Sequence, residues 1–90
     1  MYIKPSNRKD KRYDAVFHDG TKVSFGAKEA KTYVDSASDK TKAAWIARHK
    51  VRENWNDPKT AGSLAKHILW GKSKSVRENL KTFKKKFNIS

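Results

Sequence analysis

The stretch Trp55–Trp70 constrains this chain most. It holds two of the three Trp residues, Pro58 and the Ile68-Leu69-Trp70 cluster. Proline disfavours a helical conformation at the residue before it, so Asn56-Asp57-Pro58 predicts a corner. Asp57 or Thr60 is the expected cap of the helix that follows, with Pro58 tolerated in its first turn. That helix is expected to run to about Trp70, with Leu64, Ala65, Ile68 and Leu69 on its inner face. Gly62 would let another backbone come close, and Gly71 is the expected left-handed terminator. Trp55 and Trp70 read as core, whereas Trp45 is open between core packing and stacking on exposed bases.

The flanking segments supply what this short apolar helix must pack against. After the loop Lys72-Ser73-Lys74, Ser75-Val76-Arg77-Glu78 reads as a capping box. Val76, Leu80, Phe83 and Phe87 then recur at helical spacing, the cleanest amphipathic pattern in the chain. Upstream, residues 40–55 predict a helix with Ala44, Ala47, Val51 and Trp55 along one stripe. Ile46 lies nearly opposite, which implies neighbours on more than one side. Residues 27–40 form a mixed connection in which Asp35, Ser36, Ser38 and Asp39 are turn and cap types.

Residues 13–26 read as a hairpin, and its register decides its loop. A two-residue Asp19-Gly20 loop splits the apolar residues between faces. A three-residue His18-Asp19-Gly20 loop pairs Phe17 with Thr21, Ala15 with Val23 and Tyr13 with Phe25, gathering one apolar face. Gly20 then takes the left-handed position, and Gly26 ends the strand. Residues 1–12 are a basic N-terminal arm or edge segment, and Tyr2-Ile3 could start a short extra strand. A hairpin alone is marginal, so helices must cover it. The expected fold is α+β: a small antiparallel hairpin or sheet of two to three strands on about three α-helices, residues 13–90 forming a single domain.

Charge bears on function. The 90 residues carry a net charge of +13 and no Cys. Self-repulsion of this size favours a polyanionic or acidic partner. The absence of Cys excludes a disulfide framework and fits a reducing setting. No apolar run reaches membrane-spanning length, and no signal peptide opens the sequence, so the expectation is a protein that is not secreted.

No catalytic constellation appears, and the sequence predicts neither an enzyme nor a cofactor. Gly71-Lys72-Ser73 lacks the upstream glycine and strand of a phosphate loop. His18, His49 and His67 are widely separated, and the scattered acids offer no metal site. His18 is expected exposed in its turn, and His49 packed beside Ile46. The basic residues are the strongest signal. Lys72, Lys74, Arg77, Lys81, Lys84, Lys85 and Lys86 are the expected phosphate contacts, with Arg8, Lys9, Lys11, Arg12, Arg48 and Arg52 as a second set. Such contacts position a protein without reading sequence.

Several segments, in this order and spacing, resemble a family of small basic proteins of giant nucleocytoplasmic large DNA viruses, itself uncharacterised. They are Lys4-Pro5-Ser6-Asn7-Arg8, Phe25-Gly26-Ala27-Lys28, Ile46-Ala47-Arg48-His49-Lys50, Trp55-Asn56-Asp57-Pro58-Lys59-Thr60-Ala61-Gly62, Ile68-Leu69-Trp70 and Phe83-Lys84-Lys85-Lys86-Phe87-Asn88. The resemblance implies a viral source, in the virion or in a factory within host cytoplasm or nucleus, and implies no activity. The leading expectation is a non-enzymatic protein that binds DNA or RNA through sequence-independent phosphate contacts. The alternative is a minor capsid protein docking on acidic coat-protein surfaces, and a weaker third is an adaptor acting on a host protein.

Overall fold

The computed structural model describes residues 1–89. Strands β1 (Tyr2–Pro5), β2 (Lys11–Val16) and β3 (Lys22–Ala27) form one antiparallel sheet in that order. Helices α1 (Asp39–Lys50), α2 (Ala61–Leu64) and α3 (Val76–Lys86) follow, and α2 runs on into a π-helical segment, Ala65–Leu69. The fold is α+β.

The hairpin adopts the register that gathers its apolar residues. Tyr13 lies opposite Phe25 and Ala15 opposite Val23. Phe17 donates its N–H to Thr21 O at 2.9 Å, and Gly20 closes the loop at φ 91°. Ile3 opposite Ala15 extends the same face across β1. Residues 1–12 thus supply the edge strand and the start of β2, and Met1 enters the core. Gly26 does not end the strand. It sits inside β3 at φ 78°, an angle that favours glycine, and a Cβ there would also lie 2.7 Å from Leu69 Cδ1.

The apolar face of the sheet is covered by the stretch 64–70. Leu64, Ile68, Leu69 and Trp70 are buried with Phe17, Phe25 and Phe83. Thr60 is the cap, accepting the Ser63 N–H at 3.1 Å, and Pro58 therefore lies ahead of the helix rather than in its first turn. Trp70 donates its N–H to Ala65 O at 3.0 Å, an i to i+5 bond that widens the last turn. Ile68, Leu69 and Trp70 are consecutive and all buried, an arc broader than one stripe of a regular α-helix supplies.

Helix α1 differs from expectation. Ser38 caps it through the Thr41 N–H at 3.1 Å, but it stops at Lys50, so Val51 and Trp55 lie outside it. Ala44, Ala47 and Val51 are exposed, and the partly buried face is Lys42, Trp45, Ile46 and His49. Trp45 decides this orientation. Its ring stacks on Trp70 at 5.1 Å and on His49 at 4.2 Å, with Trp55 parallel at 6.2 Å. The area of an indole outweighs that of the alanine stripe. The turn beyond Lys50 is held by Glu53, which accepts from Trp55 Nε1 at 2.8 Å and lies 3.3 Å from His49 Nδ1. A Cβ on Gly62 would fall 2.5 Å from the Glu53 carboxylate carbon, so Gly62 makes room for a side chain, not for a backbone.

Helix α3 docks through Phe83 and Asn79, both buried. Ser75 caps it by accepting the Glu78 N–H at 3.3 Å, the first half of the expected capping box. Gly71 is not a left-handed terminator, since the glycines at positive φ are Gly20 and Gly26. It is a contact residue: a Cβ would lie 2.3 Å from His67 O and 2.8 Å from Asn79 Cγ. Gly71→Ala should therefore destabilise the domain by about 1–3 kcal/mol, the range for overpacking. Urea denaturation checks this, with exposed Lys72→Ala as a near-neutral control.

Candidate nucleic-acid interface

The expected phosphate contacts between Lys72 and Lys86 do not share one face. Phe83 and Asn79 turn inward, and a helical repeat of 3.6 residues puts Lys81 opposite them, Arg77 and Lys84 to one side, and Lys85 on the outer surface toward the other. Lys86 falls on the other side. Surface concavities follow this division. One is lined by Arg77, Leu80, Lys81 and Lys84, another by Lys66, His67, Lys72, Ser73, Thr82 and Lys86, and Glu78 borders both. Lys72, Lys74, Arg77, Lys81, Lys85 and Lys86 are exposed, and Lys84 is partly buried. Among the described residues, none of these seven pairs with a carboxylate.

The loop that presents Lys72 and Lys74 is fixed from within. Buried Asn79 donates from Nδ2 to Ile68 O at 2.8 Å and to Ser73 O at 2.7 Å, and its Oδ1 accepts the Ser73 N–H at 3.0 Å. Lys42 reaches across from α1 to donate to Gly71 O at 2.7 Å. Its ammonium also lies 4.2 Å from the Tyr33 ring centroid, and that of Lys74 lies 5.2 Å from the same ring. Cation–π attraction holds both lysine heads beside the loop.

The second set of cations is divided in the same way. Arg8 and Lys9 are exposed in the β1–β2 turn, where Arg8 lies 3.6 Å from Asp10. Lys11 and Arg48 line one groove with Lys31 and Trp45, and Arg48 lines another with Arg52. Arg12 is the exception. Its guanidinium grips Asp35 at 2.5 and 2.8 Å. Asp35 in turn accepts from the Thr32 N–H at 3.0 Å and the Thr32 hydroxyl at 2.8 Å. Arg12 is therefore engaged in tying the sheet to the Tyr33–Asp35 turn, and its hydrogen bonds to Asp35 raise its pKa further.

Lys66 and Asn79 were not among the sequence-based candidates. Lys66 looks like any solvated helical position, yet it is partly buried in the cleft beside α3. Desolvation, then the charges of Lys86, Lys42 and Lys72, push its pKa down. His67 next to it donates Nε2–H to Trp55 O at 3.2 Å and packs on Phe83 and Phe87. Burial lowers its pKa and favours the neutral ring. Asn79 does carry a sequence signal: it is a polar residue on the inner face of an otherwise apolar helix stripe. Among the described residues, no three His, Asp or Glu side chains converge as metal ligands would.

The Arg12–Asp35 contact has a defined pH signature. Arg12 first, with help from Thr32, holds the Asp35 carboxyl well below the usual carboxylate range. Its ionised form therefore stabilises the fold above the ordinary Asp pKa of about 4, and that contribution is lost as pH falls below it. Asp35→Asn should lower stability at neutral pH by about 1–2 kcal/mol, the scale of a partly exposed charge-assisted pair. Urea titrations at falling pH should show the gap to the parent closing below about pH 4.

A family of unknown function (DUF5754) matches residues 1–49, which is 49 of the 90 residues. No curated protein and no solved structure matches the chain.

Proposed function

We propose, for a chain that belongs to this family of unknown function, DUF5754, that it is a non-enzymatic protein binding nucleic acid through sequence-independent phosphate contacts. One observation carries the reading. Residues 72–86 hold seven cations and the single acid Glu78, and none of the seven has a carboxylate partner among the described residues. Charges left unneutralised in this number attract a polyanion and release its counterions. Flexible lysines dominate the set, and they fit phosphate as point charges rather than reading base edges. Lys72, Lys74, Arg77, Lys81, Lys84, Lys85 and Lys86 are the principal contacts, Lys84 from a partly buried position. Arg8, Lys9, Lys11, Arg48 and Arg52 are secondary, and Arg12 is withdrawn from the set because Asp35 occupies it. A viral setting, in the virion or the host cytoplasm or nucleus, belongs to the same proposal and rests on the sequence resemblance.

The distribution of cations over both flanks of α3 and a separate groove also favours a second reading. A minor structural protein bridging acidic coat-protein surfaces would use several faces at once. Stoichiometric recovery in genome-free shells supports that reading, and loss of the protein together with the genome opposes it.

Salt dependence is the direct test of the first reading. Affinity for a short duplex should fall steeply and linearly on logarithmic axes as salt rises. Lys81→Gln combined with Lys85→Gln should weaken binding for every sequence tried and reduce the slope by about 2, one unit per phosphate contact. Both side chains are exposed, so circular dichroism should show an unchanged fold. Binding that is absent at low salt, or indifferent to salt, would sink the reading.

A further inference from the structure

The cleft between the π-helical segment and α3 is more specific than a generic basic surface requires. It encloses about 500 Å³ and draws its cations from three parts of the chain: Lys66 from the segment, Lys72 from the loop and Lys86 from the last turn of α3. Asn79 lines the same cleft and fixes the loop through Ser73, so the position of Lys72 is set from the interior.

Lys66 is the informative residue. Its ammonium lies 5.4 Å from the Trp55 ring centroid, and it is partly buried with like charges around it. Among the described residues, no carboxylate pairs with Lys66, Lys72 or Lys86. Like charges held together in a partly desolvated cleft repel, and an anion entering it relieves that repulsion. Neutral donors are present as well. The Ser73 hydroxyl oxygen accepts the Ser75 N–H at 3.0 Å, which leaves its O–H to donate, whereas the Thr82 hydroxyl is engaged by Glu78 O. Glu78 is the one carboxylate lining the cleft.

Two features select the kind of phosphate. A diester within a strand carries one negative charge, whereas a monoester carries close to two at neutral pH. A concave cleft also admits a chain end more readily than the middle of a backbone that must enter and leave. Resting on the phosphate-binding reading above, we propose that this cleft seats the terminal phosphate monoester of a nucleic-acid strand, gripped by Lys66, Lys72 and Lys86.

The test compares short single strands of one sequence bearing a 5′-phosphate, a 3′-phosphate or only hydroxyl ends, by fluorescence anisotropy at fixed salt. A phosphorylated end should bind about tenfold tighter, the equivalent of one charge-assisted hydrogen bond. The preference should disappear in Lys66→Met, which keeps the aliphatic stem, and in exposed Lys86→Gln. It should survive in Lys81→Gln, on the other flank of α3. Equal affinity for all three strands overturns the terminal-phosphate seat and leaves general phosphate binding standing. Absence of binding to every strand overturns both. A preference that persists in a folded Lys86→Gln and a folded Lys66→Met places the recognition elsewhere and also overturns the proposal.

Discussion

The side-chain amide of Asn79 is the contact on which the C-terminal half of the molecule depends. It satisfies a carbonyl at the end of the π-helical segment and both backbone groups of Ser73, from a position inside the core. A buried backbone group without a partner costs about 1–3 kcal/mol, so one amide serving three of them leaves the loop little freedom to move. The same contact forces Gly71 against Asn79 and His67 O, where no Cβ fits. Loop path, helix docking and the presentation of Lys72 and Lys74 follow from one polar residue in an apolar stripe.

Charge is distributed unevenly around that framework. The acids in the N-terminal two thirds are largely engaged. Asp10 lies against Arg8, Asp19 pairs with Lys59, Asp35 with Arg12, and Glu53 faces His49. Asp14 is buried behind the sheet, where bonds from Ser24 and then Ser6 hold its carboxyl below the usual range. Self-repulsion is therefore concentrated on the loop and α3, which face it with Glu78 alone. The apolar contacts of Phe83 with the core must outweigh that repulsion when no anion is bound.

Legibility in the sequence followed the physics of each element. The hairpin register was readable because a side-chain period of two permits one gathering of Tyr13, Ala15, Phe17, Val23 and Phe25. The caps at Ser38, Thr60 and Ser75 were readable because a hydroxyl before a helical run has a local job. The face of α1 was not readable. Periodicity weighs Ala44 and Ala47 like Trp45, whereas packing weighs them by area. The extent of α1 failed for a related reason, since Trp55 fits the helical spacing but is held by Glu53 in a turn. At the candidate interface, counting charges identified the basic segment of α3 but not its division into two flanks. It also could not reveal that Arg12 meets a carboxylate 23 residues away. Lys66 was invisible because only the path of the segment 65–69 turns it into a cleft.

The Trp55–Trp70 stretch joins the apolar core and the basic cleft within a few residues. Leu64, Ile68, Leu69 and Trp70 bury against the sheet, while Lys66 and His67 face α3. Trp55 serves both sides, since its carbonyl accepts from Ser63 and His67 and its ring lies beneath the Lys66 ammonium. The neutral state of His67 matters to this arrangement. A protonated imidazole would add another cation to a cleft that already holds three, in surroundings that desolvate it. Burial thus keeps the cleft from becoming more repulsive to itself, and the charge that remains lies on lysine stems long enough to reach a bound anion. Core and basic cleft in this protein are two sides of a single widened helical turn.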